Sequence, residues 1–532
     1  MGALLGRLAF TLHVPYRSPL RPSLFQSLKS GLGQTLCRPK LVNPVVRDIL
    51  KRYTQVWALG HSMAVLGWDT ETHMPEAGSK PRGMASGQLA VLAQKATVSL
   101  DPLVKKAEKA RNLDDWEMGI VRVLRRSLDY YLKIPPELVD EIQRVTTEAT
   151  VVWRTARKKS DFRLFRPHLE NIVRLQREVA DRLGYSGHPY NALLDMFEEG
   201  FTVSDADDVY AALIPKSRRI LEKVTAEGIY PPKHPLESVV YDTEAMARVN
   251  GDVVELLKMP ADRFRMDVST HPFTTQIASD DVRITTRYEG RSFKESLFST
   301  IHESGHAIYG LGVGAKLAYT PLADGASYGV HESQSRFWEN VVGRSREFVR
   351  LLRPTLGKNL PFVKRYDDEQ LYLYFNTVRK SFIRVEADEL TYNFHTAVRY
   401  DVEKKIIAGE VTPSEVPEIW NDTFDEYLGV RPKNDAEGAL QDVHWSGGSF
   451  GYFATYTLGN IVAAMIWHKM KDGDAIREAL EKKDIISLKK WLGTNIHRYG
   501  ATYPPKVLQT KVFGEAYSAD RLLAYFEKKF LA

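Results

Sequence analysis

One short segment, "FSTIHESGHAIYG" at 298–310, constrains this chain more than any other. It places His302 and His306 four residues apart, with Glu303 directly after the first. The pattern around it predicts a helix. Phe293, Leu297 and Ile301 repeat every four residues, Ser292 and Glu295 stand at capping-box spacing, and Gly310 and Gly312 supply a stop. On such a helix the two histidines are neighbours on one face, with Cβ atoms about 5–6 Å apart. Imidazoles so placed can converge on one tetrahedral ion. Glu303 lies about 100° further round the axis. It is offset from the ligand face but can reach a water in an open coordination position, as the general base of a metal-activated hydrolysis.

A catalytic ion of this type needs a third protein ligand. The compact pattern that would supply it from the same segment fails, because Tyr309 and Gly312 stand where glycine and histidine would be required. The next predicted helix starts at His331 and offers Glu332 and Glu339, seven residues apart on one face. Spacing does not choose between them. The single cysteine, Cys37, lies near the N-terminus, so a metal in the body of the chain must be held by His, Asp or Glu.

The remainder of the 532 residues is 43% hydrophobic and 26% charged, a globular composition with no apolar run of the ~18 residues that spans a membrane. The net charge of +6 is misleading. Seven cations, from Arg7 to Arg47, precede the first acid at Asp48, and taking them away leaves the rest at −1. A basic surface for nucleic acid is therefore not expected on the body. Residues 1–44, acid-free and interrupted by Pro15, Pro19, Pro22 and Pro39, read as a disordered or targeting leader, and 45–532 as a single catalytic domain. The expected location is cytoplasmic, or an organelle if the leader is a transit peptide. From residue 45 the periodicity is mainly α, including one long helical stretch from Gln370 to Gly409. The exception is 271–288, where Val282, Ile284, Thr286 and Tyr288 alternate with polar residues around a turn at "SDD", a β-hairpin signal.

Seven segments in order carry a further resemblance: "GWDTETHMP" (67–75), "HPF" (271–273), "DVRIT" (281–285), "HESGH" (302–306), "HESQ" (331–334), "IRVEAD" (383–388) and "GALQDVHW" (438–445). With them the chain, over roughly 45–532, resembles the carboxypeptidase Taq family of thermostable metallocarboxypeptidases. The resemblance implies a large, mainly α-helical, neurolysin-like fold with a deep active-site cleft and one small β-sheet next to the metal-binding helix. It implies Glu332 as the third metal ligand beside His302 and His306, with Zn2+, or alternatively Co2+, as the ion. It implies a homodimer that removes single amino acids from peptide C-termini with broad specificity.

It also distributes roles. Glu303 is the general base. Arg384, whose planar fork matches a carboxylate, is the reader of the substrate C-terminus, against the ordinary alternative of an i,i+4 ion pair with Asp388. His444 and Tyr456, on a glycine loop that similar enzymes close over substrate, are donors to the scissile carbonyl oxygen, and Tyr452 contacts substrate. For either tyrosine the ordinary alternative is aromatic packing. His271 is a further substrate contact, and the hairpin offers an edge strand to an extended peptide. The competing readings are an endopeptidase or dipeptidyl carboxypeptidase on the same scaffold and, from another class, a catalytically silent peptide-binding protein. The intact base and ligand set argues against the latter.

Overall fold

The computed structural model describes residues 42–531. The leader reading therefore falls outside the described residues up to position 41. The described chain is mainly helical, with a single three-stranded sheet. None of its helices is long and apolar enough to cross a membrane. It opens with helix α1 (Pro44–Thr72), capped by Asn43, whose Oδ1 accepts from the Val45 amide at 3.0 Å. Helix α2 (Ser79–Val98) folds back along α1 as a hairpin.

The sheet consists of β1 (Phe264–Val268), β2 (Thr274–Ala278) and β3 (Asp281–Thr286), in the order β1-β3-β2. The predicted hairpin is β2 and β3, paired antiparallel with Thr274 opposite Ile284. β1, which the sequence pattern did not reveal, adds to β3 in parallel. β2 is thus an edge strand, as expected. Val282 and Ile284 of β3 are fully buried and pack on Ala307, which ties the sheet to helix α3 (Phe293–Gly312). Each such buried aliphatic side chain contributes about 1.5–3 kcal/mol.

Helix α3 spans the predicted residues, but its start is different. Ser292 has φ +51°, and its side chain makes no cap hydrogen bond to the backbone. The chain enters from the left-handed Gly290, whose carbonyl is held by the Tyr241 amide, and the Val240–Arg291 bridge. The capping box is therefore not formed, although Ser292 still marks the boundary.

Helix α4 (Tyr328–Arg336) follows and passes without a break into a π-helical turn at Phe337–Gly343. It begins three residues before the predicted start. The long helix expected over 370–409 is also corrected. The chain is helical at Asp368–Phe375 and again in α5 (Tyr392–Ala408), which ends at the left-handed Gly409 as predicted. Between them Asp388 draws the backbone out of the helix, because its carboxylate accepts from the amides of Arg379, Leu390 and Thr391.

Helix α6 (Ala454–Lys469) completes the frame. Two glycines let α4 lie between α3 and α6 at backbone distance. A Cβ on Gly305 would stand 2.6 Å from the Gln334 carbonyl oxygen and from Ser335 Cα, and one on Gly459 would stand 2.5 Å from Glu332 Cγ. The spacing that brings Glu332 to the two histidines is set by these contacts. Gly305→Ala is expected to cost about 1–3 kcal/mol by overpacking. Gly60→Ala on α1, with nothing within 4 Å of the added methyl, should stabilise by up to about 1 kcal/mol. Thermal unfolding of both variants checks this, and an unchanged Tm for Gly305→Ala would contradict the close approach.

Candidate metal centre

His302, His306 and Glu332 each offer a ligand atom within 4.8 Å of the other two. Glu332 Oε2 lies 3.7 Å from His302 Nε2 and 3.5 Å from His306 Nε2, so the Nε2 edges of both rings face one carboxylate oxygen. The opposite edges are held from behind. His302 Nδ1 is 2.8 Å from Glu339 Oε2, and His306 Nδ1 is 3.1 Å from His331 Nδ1. This is the arrangement in which a partner fixes the tautomer and orientation of a ligating imidazole. Of the two glutamates that spacing left open, Glu332 faces the histidines' outer edges and Glu339 backs one of them.

Arg336 makes it possible for both carboxylates to be charged in a buried place. Its Nε donates to Glu332 Oε1 at 2.7 Å and its Nη1 to Glu339 Oε2 at 3.3 Å. Arg344 Nη2 donates to Glu339 Oε1 at 2.9 Å. Burial works to raise both carboxyl pKa values, but Arg336 and the neighbouring His302 outweigh it, and both are held well below the usual range. Burial likewise opposes a proton on His302, yet the charges of Glu332 and Glu339 keep that ring above its ordinary value. His306 is pushed down by burial.

The donor set suits a divalent cation. Two imidazole nitrogens and one carboxylate are the His2Glu ligands of a catalytic zinc site. Glu303, Glu332 and Glu339 bring three carboxylates against the two guanidiniums of Arg336 and Arg344, which leaves an excess of negative charge for a cation to neutralise.

Glu303 is buried at the same place, and Thr274 of β2 donates to its Oε2 at 2.6 Å. The edge strand thus braces the candidate base. Neither Thr274 nor Glu339 was singled out for this by the sequence reading, since each partner stands 29 or 37 residues away in the chain.

The cleft beside these ligands is lined by His302, Glu332, Arg336, Arg384, Tyr392 and Tyr456 among others. Arg384 does not pair with Asp388. Its Nε and Nη2 donate to Asp442 Oδ1 at 3.1 and 2.8 Å, and its Nη1 to the Tyr392 hydroxyl at 2.7 Å. The other oxygen of Asp442 accepts from Arg399 Nε at 2.6 Å. One carboxylate therefore lies between two guanidiniums, and the buried group carries an excess positive charge. Tyr392 joins the two charge clusters, with the Arg336 guanidinium 4.4 Å above its ring and Arg384 on its hydroxyl.

His444 Nε2 lies 3.5 Å from the Tyr456 hydroxyl, and its ring packs on Phe453 at 4.5 Å and Tyr452 at 5.6 Å. Burial, with Arg384 and Arg399 nearby, pushes the His444 pKa down to about 3 even against the attraction of Asp442, so the ring is neutral at ordinary pH. Tyr456 also lies 4.9 Å under the Arg384 guanidinium. Tyr452 is packed edge-on against Phe197, Tyr328 and Tyr456. His271 is exposed beside Pro272 at the cleft rim, and its carbonyl accepts from Ser269. The glycine loop is not free. Trp445, Phe450 and Phe453 are buried, and both of its ends are tied to Glu403.

With this geometry in view, the comparisons are consistent with each other. Residues 48–530 match the family described as carboxypeptidase Taq (M32) metallopeptidase. Thermostable carboxypeptidase 1 of Pyrococcus furiosus is 44% identical over 92% of this chain and 99% of its own length. Carboxypeptidase 1 of Bacillus subtilis is 35% identical over 91% and 97%. Among solved structures, the Pyrococcus furiosus carboxypeptidase superposes with a TM-score of 0.90 at 44% identity, covering 92% of this chain and 99% of that one. Metallocarboxypeptidase 1 of Trypanosoma cruzi does so at 0.87 and 31%, with the same coverage.

The two glutamates should behave differently on substitution. Glu332→Gln is expected to abolish stoichiometric metal binding. Glu339→Gln should retain the site with affinity lowered about 10–100-fold, because it only loosens the hold on His302. Metal titration with a competing chelator separates them, and the reverse order would show that the roles are exchanged.

Proposed function

The chain belongs to the carboxypeptidase Taq (M32) metallopeptidase family, and from that premise we propose that this metal-dependent peptide hydrolase releases single residues from peptide C-termini with broad side-chain tolerance. The observation that carries the exopeptidase part is the buried Arg384–Asp442–Arg399 group, whose Arg384 lines the cleft beside the candidate metal ligands. Two guanidiniums share one carboxylate, so a second carboxylate, the C-terminus of a peptide, completes their neutralisation. Asp442 occupies Nε and Nη2 of Arg384 and the Tyr392 hydroxyl its Nη1, so what the group offers the substrate is its excess positive charge. A chain interior brings no such charge, which favours this reading over an endopeptidase.

His302, His306 and Glu332 would hold the ion, with zinc the best match to the donor set and cobalt the alternative. Bound there, the ion supplies Lewis acidity to a water and to the scissile carbonyl. Glu303, oriented by Thr274, accepts the water proton as the water adds to the carbonyl carbon, and returns it to the leaving amine. His444, neutral and therefore carrying one N–H, and the Tyr456 hydroxyl are the donors for the oxygen that gains charge. A donor in such a position is worth about 2.7–4 kcal/mol. Tyr452, its ring 5.6 Å from that of His444, is a further substrate contact, and His271 meets the substrate at the rim. An extended peptide lying along β2 would bind through backbone groups, which supports breadth in side-chain preference.

Two outcomes test this reading. Glu303→Gln should keep the metal and lose turnover, measured as metal content against kcat, and loss of metal would make Glu303 a ligand or a structural group. Arg384→Ala should lower kcat/KM on free-acid peptides by a factor of about 30 to several thousand, the effect of removing one partner of a desolvated charge pair worth about 2–5 kcal/mol. An unchanged kcat/KM would assign carboxylate recognition elsewhere.

A further inference from the structure

The loop between His444 and α6 is fixed by one buried carboxylate from another helix. Glu403, on α5, is fully buried. Its Oε1 accepts from Trp445 Nε1 at 2.7 Å. Its Oε2 accepts from the Gly451 amide at 2.8 Å and from the Tyr190 hydroxyl. Trp445 directly follows His444, and Gly451 directly precedes Tyr452. A single side chain thus grips the loop immediately after His444 and immediately before Tyr452.

The surroundings make this grip demanding. Trp445 stacks on Phe450 with the ring planes 12° apart and meets Trp420 edge-on. Gly451 has φ +92°, and a Cβ there would lie 2.5 Å from the Leu193 carbonyl oxygen. A side chain at this position would therefore displace the backbone whose amide donates to Glu403. Leaving a carboxylate in so buried a place is unfavourable, and burial raises the pKa of Glu403 to about 7 against the effect of its three donors and of Arg399. An amide would avoid that cost, but it has only one acceptor oxygen. Two N–H donors approach two different oxygens here, so a glutamine would set its own N–H2 against one of them.

We infer that Glu403 is a positioning residue for the reaction, setting the separation of His444 from Tyr452 and Tyr456 by holding Trp445 Nε1 and the Gly451 amide on its two oxygens. It touches no reacting atom and acts through His444. The inference rests on the donor roles given above to His444 and Tyr456.

The test is a double-mutant cycle on the metal-loaded full chain, using a blocked dipeptide with a free C-terminus. Glu403→Gln should keep its metal and show faster hydrogen exchange at the Gly451 amide. It should lower kcat by about 10²-fold, the scale of a 1 Å misplacement of a reacting group, with KM little changed. In the His444→Ala background the same substitution should cost almost nothing more, since its effect runs through a side chain already removed. If His444→Ala lowers kcat but Glu403→Gln adds its full factor on top, the positioning inference is overturned while the donor assignment stands. If His444→Ala leaves kcat unchanged, the donor assignment fails and the inference with it. Should Glu403→Gln not fold, Trp445→Phe removes one donor and keeps an aromatic ring. It should give a smaller loss of kcat with the same disappearance in the His444→Ala background, and an additive loss would overturn the inference.

Discussion

Arg336 sits between Glu332 and Glu339, and much of the site follows from that position. Two carboxylates seven residues apart, both buried, cannot each stay ionised without a cation between them. Arg336 reaches one with Nε and the other with Nη1, and Arg344 takes the remaining oxygen of Glu339. Only then can Glu332 offer Oε2 outward while Glu339 holds His302 from behind. The glycines at 305 and 459 serve the same end, because side chains there would push α4 away from both neighbours.

The cleft can be read as two charge clusters of opposite sign joined by Tyr392. At the histidines, carboxylates exceed guanidiniums. At Arg384 and Arg399, guanidiniums exceed the single carboxylate of Asp442. The first suits a divalent cation and the second an anion. A peptide terminus anchored at the second would lay its last amide toward the first. This division also explains why several buried charges persist in a chain that could otherwise have filled the space with apolar side chains.

What the sequence reveals and what it hides follows from distance along the chain. His302, Glu303 and His306 were legible because an α-helix fixes residues four apart on one face, and the β2–β3 hairpin because its alternation is local. Glu332 and Glu339 could not be told apart by spacing, because the segment turns from α to π at Phe337 and a 3.6-residue period no longer gives the direction of Glu339. The helix predicted across 376–391 failed because Asp388 takes three backbone amides, a competition that periodicity does not register. Arg384 was found as a residue, but its partner Asp442, 58 positions later, was not. Likewise Thr274, Arg336 and Glu403 matter through contacts that only the folded chain creates.

The central claim is that this cleft reads a free C-terminal carboxylate and cuts beside it. The most direct measurement compares metal-loaded, unmodified protein on two peptides of one sequence, one ending in a free acid and the other in an amide. The account predicts a kcat/KM at least about 30-fold higher for the acid, the lower end of what a desolvated charge pair contributes, with single residues released in order from that end. Equal cleavage of the two peptides, or cuts at internal bonds, would contradict it and leave an endopeptidase on the same metal site.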